Sequence, residues 1–276
     1  MVNVSHVQQP LAGRVALVTG AARGQGRSHA LRLAADGCDI VAFDICGEAF
    51  PVAYPTATPE DLAETVRLVR EQGRRILPHR GDVRSQDDLD QVVAAAFAEL
   101  GRLDVVVANA GIAAWNRFWE TSEAAWQAVL DINLTGVWRT FKAAAPRMIE
   151  QGSGGSLIAV NSVAGLKALP GQAHYTAAKH GLVGLVRAAA IELGPYGIRV
   201  NSVHPWAVDT PMAHDPSVSA LLDRHPTYLV SYGSILAEPQ MADPADISNA
   251  VSWLASDESR AVTGIQLPVD MGATTV

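Results

Sequence analysis

Residues 174–181 read HYTAAKHG, and Tyr175 and Lys179 stand four positions apart in an alanine-rich stretch of helical period. Side chains four apart share one face of a helix. A phenol ionises near pH 10, too high for a base at neutral pH; an adjacent ammonium favours the phenolate and lowers that value. Tyr175 could then take a proton from an alcohol or return it to a carbonyl. Ser162 closes an apolar run thirteen residues earlier. Its hydroxyl would hold the oxygen on which charge develops. Taken alone, the pair fits an exposed amphipathic helix with a stray tyrosine equally well. What decides is whether the rest of the chain brings a redox partner beside it.

Such a partner is suggested by TGAARGQG, Thr19 to Gly26. Gly20, Gly24 and Gly26 accept backbone angles closed to other residues and let a ligand approach the main chain. The helix that follows offers free amides and a positive dipole end to a diphosphate. The spacing is not the common G-x-G-x-x-G, and glycine-rich turns also serve plain helix–sheet packing. Asp44 closes the next apolar run, where a carboxylate can take both ribose hydroxyls. It would repel a 2′-phosphate, which favours NAD over NADP. Arg23 in the loop either opposes that preference, contacts the diphosphate or packs over the adenine. Asp82 and Val83 follow the third run, in reach of an adenine edge, and Asn109-Ala110-Gly111 follow the fourth, beside a ribose. Each of these could instead cap a helix or close a turn.

The elements that must position these groups alternate along the chain. Apolar runs at 14–20, 38–44, 75–83, 103–111, 155–162, 197–205 and 264–272 are mostly continuous in valine, isoleucine and leucine. Such runs fit parallel strands covered on both faces. Helical periods fall between them at 24–36, 60–72, 86–100, 121–149, 172–194 and 246–256. The pattern predicts an α/β fold: one Rossmann-type, doubly wound parallel sheet of about seven strands with helices on both faces. A single domain over 1–276 is expected, interrupted twice. Residues 45–61 carry three prolines after the second strand, and 209–244 precede the last helix as a substrate lid. Both should emerge at the carboxyl edge of the sheet, where ligands bind.

In order and approximate spacing, Thr19-Gly20…Gly24…Gly26, Asn109-Ala110-Gly111, Asn133, Ser162, Tyr175 and Lys179 resemble the short-chain dehydrogenase/reductase family over about residues 12–272. The resemblance implies a nicotinamide cofactor and catalysis by Asn133, Ser162, Tyr175 and Lys179, with Asn133 holding a proton-relay water near the lysine. It places the dinucleotide against Gly20, Arg23, Gly24, Gln25, Gly26, Asp44, Ile45, Asp82, Val83, Asn109, Ala110, Gly111, Tyr175, Lys179, Pro205, Val208 and Thr210. Val208 and Thr210 match positions that hold the nicotinamide carboxamide. Trp206 departs from the family, replacing a flexible glycine with a bulky ring.

The insert after Asp44 resembles the actinobacterial carveol-dehydrogenase-like subgroup, linked to the redox carrier mycofactocin. That resemblance implies NAD held without ready exchange under the insert, and an external redox carrier as partner. If half of Trp115, Phe118, Trp119, Trp206, Tyr228 and Tyr232 line the pocket, the substrate is a bulky apolar secondary alcohol, terpenoid or cyclic, interconverted with its ketone; the same residues fit core or oligomer contacts equally well. Trp115 and Trp206 are the substrate candidates. Two other readings share these motifs: a 3-oxoacyl-carrier-protein reductase using NADPH, and a catalytically silent dinucleotide-binding protein. Family members commonly pair their long helices into homotetramers.

Composition bounds the remainder. The net charge of -7 argues against nucleic acid or an anionic membrane as a partner. Cys38 and Cys46 are too few for a disulfide framework or a metal site, and a reduced cytoplasmic setting fits. No signal peptide or membrane span is expected, and no metal.

Overall fold

The computed structural model describes residues 9–276, so the first eight residues of the expected domain lie outside it. The seven expected strands form: β1 (Val15–Thr19), β2 (Asp39–Asp44), β3 (Ile76–Arg80), β4 (Val105–Ala108), β5 (Gly155–Val160), β6 (Ile198–Pro205) and β7 (Gln266–Val269). They make one sheet in the order β3-β2-β1-β4-β5-β6-β7, and every pairing is parallel. β1, β2 and β4 are buried at every position. That explains their continuous apolar sequences, since a parallel strand covered on both faces has no solvent side on which to alternate.

Helices cover both faces. On one lie α1 (Gly24–Ala35), α2 (Pro59–Glu71) and α8 (Pro244–Ala255), packing Ala30, Leu33, Leu62, Val69, Ile247 and Val251 on the sheet. On the other lie α3 (Gln86–Ala95), α5 (Gly136–Gln151) and α6 (Ala173–Leu193), with Leu89, Val92, Phe141, Leu182 and Val186. Local chemistry starts these helices where the chain needs them. Thr58 and Asp61 close a capping box on α2 and Asp243 and Asp246 another on α8, each with proline in the first turn.

The structure corrects three boundaries. Residues 121–149 are not one helix: α4 (Glu123–Leu130) is joined to α5 through a π turn at Asp131–Thr135, which carries Asn133. The irregular insert ends at Thr58, because the Thr58 cap and Pro59 start α2 inside the expected 45–61 segment. The 209–244 segment is not structureless, since α7 (Pro216–Arg224) forms within it under an Asp215 cap.

The chain leaves β1 for one side of the sheet and reaches β4 on the other, so a crevice opens between the carboxyl ends of these two strands. Its floor is tied by Thr19. The Thr19 hydroxyl accepts the amides of Asn109 and Ala110 at 3.0 and 3.1 Å, and the Asn109 side chain donates to the Thr19 carbonyl at 2.9 Å.

His29 and His204 are wholly buried and held neutral, with burial taking His29 down to about 3 and His204 down to about 4. Unfolding restores an ordinary histidine that binds a proton near pH 6.5. Their contribution is therefore fully present above that pH and is lost as pH falls toward the folded-state values. Stability measured by denaturant melts should fall between pH 6.5 and about 4 by up to roughly 1.4 kcal/mol per pH unit per histidine. His29→Gln should flatten that slope; an unchanged slope would show that His29 does not bear the acid sensitivity.

Candidate active site

The cleft is built from the carboxyl ends of β1, β2, β4 and β5 and from the first turn of α1. In that turn Gly26 packs so closely that a Cβ would stand 1.9 Å from the Gly20 carbonyl oxygen. Gly20 and Gly24 hold left-handed φ values of 66° and 53°, which a side chain would strain. Arg23 at the helix start provides no side-chain cap, whereas the preceding residues of α2, α3, α4, α7 and α8 all do. The first amides of α1 are therefore left to a ligand. Gln25 lines the same cleft, and its Oε1 is buried without a protein partner. A bare backbone and an uncapped helix fit a dinucleotide diphosphate, while the orphaned Gln25 acceptor fits a donor such as a ribose hydroxyl or an amide N–H.

Asp44 is buried at the tip of β2, where it accepts the Ala22 amide on Oδ2 and the Cys46 amide on Oδ1, each at 2.9 Å. It both lines the cleft and shapes it. Cys46 turns at φ 47°, a left-handed angle on a non-glycine residue that bends the insert sharply back over the cleft. Asp82 lines the opposite wall, but Arg84 holds its carboxylate at 2.5 Å. Val83 and Ile45 line the cleft as expected. Asn109, Ala110 and Gly111 reach it too, though the Asn109 side chain serves β1 rather than a ribose.

The catalytic candidates converge. Lys179 is buried, and its Nζ donates to the Val160 carbonyl at 2.9 Å and lies 5.5 Å from the centroid of the Tyr175 ring. Ser162 stands close enough to Tyr175 to favour its ionised form, and its Oγ accepts the Ala164 amide at 3.1 Å. Tyr175 and Lys179 both line the cleft. Asn161 fastens α6 to the strand tip, donating from Nδ2 to the Lys179 carbonyl at 3.1 Å.

One expectation is corrected. Burial pushes the Tyr175 phenol up to about 12, against the opposing hydrogen bond from Ser162, and pushes Lys179 down to about 7. At that spacing, phenolate and ammonium attract by roughly 3 kcal/mol at an effective dielectric of 20. Taking two such charges out of water costs several kcal/mol each. Desolvation wins, so lysine by itself does not make the phenol acidic.

Asn133 is wholly buried and uses both ends of its amide: its Oδ1 accepts the Ile112 amide at 2.9 Å and its Nδ2 donates to the Ile112 carbonyl at 2.7 Å. Its side chain fixes the turn after β4. Gly111 leaves room for it, since a Cβ there would stand 3.0 Å from the Asn133 oxygen.

Other candidates sit elsewhere than expected. Arg23 donates to the Pro55 carbonyl in the insert, an uncharged partner, although it also lines the cleft. Thr210 reaches the cleft, while Val208 is buried beneath it and pairs with Ala242, and Pro205 ends β6. Trp115 is not among the lining residues. Trp206 packs on the same apolar cluster as Tyr175 and Tyr232, with its ring 5.9 Å from that of Tyr232 and Lys167 Nζ 5.5 Å above it. Phe118 and Trp119 are 70% and 61% exposed, which removes them from any pocket of this structure.

Sequence reasoning missed Tyr54. This residue of the insert is buried, lines the cleft, and accepts the Ala113 amide beyond β4 at 3.1 Å. Arg84 holds the same insert through the Ala49 carbonyl at 3.0 Å. The insert therefore crosses from the β2 tip to the loop after β4. A tyrosine among prolines is the only local signal, and it does not reveal its partner.

Comparison with known proteins agrees with this geometry. The family described as enoyl-(acyl carrier protein) reductase matches residues 20–274. An uncharacterised NAD-dependent oxidoreductase of Mycobacterium tuberculosis is 52% identical over 265 residues, covering 95% of this chain and 96% of that protein. The (-)-trans-carveol dehydrogenase of Rhodococcus erythropolis is 41% identical over 270 residues, covering 95% and 98%. Among solved structures, carveol dehydrogenase from Mycobacterium avium in complex with NAD superposes with a TM-score of 0.91 at 48% identity, covering 97% of this chain and 99% of that one.

Proposed function

The chain belongs to the short-chain dehydrogenase/reductase family as an NAD-dependent oxidoreductase, and from that premise we propose that it interconverts a bulky apolar secondary alcohol, cyclic or terpenoid, with its ketone. The observation that carries the reading is that Tyr175 and Lys179 line the cleft with Ser162 beside the phenol, and that Tyr175, Trp206 and Tyr232 all pack on one apolar cluster containing Leu169 and Val163. An apolar wall beside a proton-transfer group selects a hydrophobic carbinol.

Bound NAD supplies the hydride acceptor and, as a pyridinium, a positive charge. Gly20, Gly24, Gly26 and the first amides of α1 would hold its diphosphate, Asp44 would meet its ribose, and Gln25 and Thr210 line the same cleft. Ser162 Oγ holds the substrate oxygen. Tyr175, ionised to the phenolate, would take the alcohol proton and become the hydroxyl, and it needs a charge beyond that of Lys179 to ionise near neutral pH. Lys179, anchored on Val160, keeps an N–H beside the ring. The π turn at Asn133 keeps the β4 loop in register with both.

The reading as a carrier-protein reductase is less well supported. Asp44 disfavours NADPH, and the basic groups on α5 are partly engaged: Lys142 lies 4.9 Å over Trp138 and Arg147 4.7 Å over Phe97. The reading as a silent binding protein falls with its enzyme relatives.

The insert keeps NAD from exchanging, so reducing equivalents leave through an external redox carrier, by resemblance mycofactocin. The setting is cytoplasmic, consistent with two free, buried cysteines. Among the described residues no helix is long and apolar enough to cross a membrane. Trp126, Trp138 and Ile191 are exposed on α4, α5 and α6, and pairing of those helices makes a homotetramer.

A panel of cyclic and terpenoid alcohols, with a dye as electron acceptor and no added NAD, tests the reading. Tyr175→Phe should lower kcat by about 10²–10⁴ with cofactor content unchanged; turnover at the unmodified rate would refute Tyr175 as the acid/base. Protein purified without NAD should release about one equivalent on denaturation. Tyr54→Phe removes one buried acceptor, worth about 1–2 kcal/mol, and should release cofactor roughly 5- to 30-fold faster in a native chase; equal rates would exclude the insert as the retaining element. Light scattering should give four times the chain mass, and a monomer would reject the tetramer.

A further inference from the structure

His204 lies wholly buried in β6, one residue before Pro205, and the chemistry above gives it no part. Its Nδ1 is 2.7 Å from the Ser162 carbonyl oxygen, and its Nε2 is 2.9 Å from Ser202 Oγ. A carbonyl only accepts, so Nδ1 carries the proton and Nε2 receives the Ser202 hydroxyl. Both ring nitrogens are therefore satisfied by one tautomer. The ring is also kept uncharged: burial takes it down to about 4, Lys179 and His180 act in the same direction, and the Ser162 carbonyl and Asp270 oppose them.

The end of the β5–β6 ladder explains why a side chain is needed there. The Asn161 amide donates to the Val203 carbonyl at 2.8 Å. In a parallel pair the next bond would come from the amide of residue 205. Pro205 has none. Beyond Asn161, Ser162 leaves the sheet with its carbonyl accepting the Gly165 amide at 2.9 Å. That bond belongs to the local turn, so the imidazole of His204 provides the tie from the neighbouring strand.

We infer that His204 is a positioning residue for the reaction: its imidazole, fixed by Ser202, anchors the Ser162 carbonyl beyond the end of the ladder and so holds Ser162 Oγ toward Tyr175. The inference rests on the proposed roles of Ser162 and Tyr175. The geometry that carries it is independent of the substrate.

The test compares three variants of the full chain on whichever alcohol of the panel turns over fastest. His204→Leu removes the donor. His204→Asn keeps an N–H near the Nδ1 position, and His204→Gln keeps an amide of similar size whose N–H falls near Nε2, away from Ser162. With Leu and Gln, kcat should fall about 10- to 100-fold while KM changes less than about 3-fold, the pattern of a misplaced reacting group. The rise of kcat with pH should move to higher pH, because Tyr175 loses a hydrogen bond that favours its phenolate. Asn should restore kcat to within about 5-fold. A crystal structure of His204→Gln should show Ser162 Oγ displaced by about 1 Å or more from Tyr175. Equal activity of Asn and Gln, or an unmoved Ser162 Oγ, overturns the inference even if His204→Leu fails to fold. Unmodified turnover in Tyr175→Phe would overturn the catalytic reading instead, which separates the two failures.

Discussion

A lysine amine with no carboxylate at hand sits at the floor of the cleft, anchored at 2.9 Å on a single backbone carbonyl, with a phenol ring beside it. Everything around the pair serves to keep it dry and oriented. Val160 offers its carbonyl because β5 ends there, and Asn161 grips the Lys179 carbonyl so that α6 cannot slide along the sheet. The cost of burying charge is what makes the arrangement responsive. Both groups are pushed toward their neutral forms, so under the proposed function the phenol would need a charge that comes with the cofactor. A tyrosine that ionised without that charge would be a base with no hydride acceptor beside it.

The same economy of contacts appears at the switch point of the sheet. One threonine hydroxyl joins the tips of β1 and β4, and the Asn133 side chain completes the turn that follows. These groups do not need to touch a ligand to matter. They set the width of the crevice, and the glycines of the first turn let the helix start at its edge. The insert then crosses the opening. It is held by Arg23 at Pro55, by Arg84 at Ala49 and by Tyr54 at the Ala113 amide. These bonds lie at different places along the insert, so it is attached on both sides of the cleft and not hinged at one.

Much of this was legible in the residues before any fold was known. The apolar runs located all seven strands; the five inner ones are buried along nearly their whole length and carry no alternation, whereas the edge strands β3 and β7 are only partly buried. The glycine loop and the i, i+4 pairing of Tyr175 with Lys179 are local patterns, and they placed most of the cleft. The errors were electrostatic or involved partners distant in sequence. Proximity of a cation was taken to acidify the phenol, but burial depth is a property of the packed structure and outweighs the attraction. Arg23 lines the cleft as expected, but its bond to a carbonyl 32 residues away could not be read locally. The exposed Phe118 and Trp119 looked like pocket aromatics because sequence carries no direction for a side chain in a loop.

What the sequence by itself determined is the set of elements and the identity of the groups that can do chemistry, since each depends on interactions within a few residues. What only the tertiary structure decided is how those groups are held and charged. Tyr54 finds its partner 59 positions away and His204 finds Ser162 at 42. Such pairs exist because strands distant along the chain lie side by side in the sheet, and the water they exclude sets the ionisation of Tyr175 and Lys179.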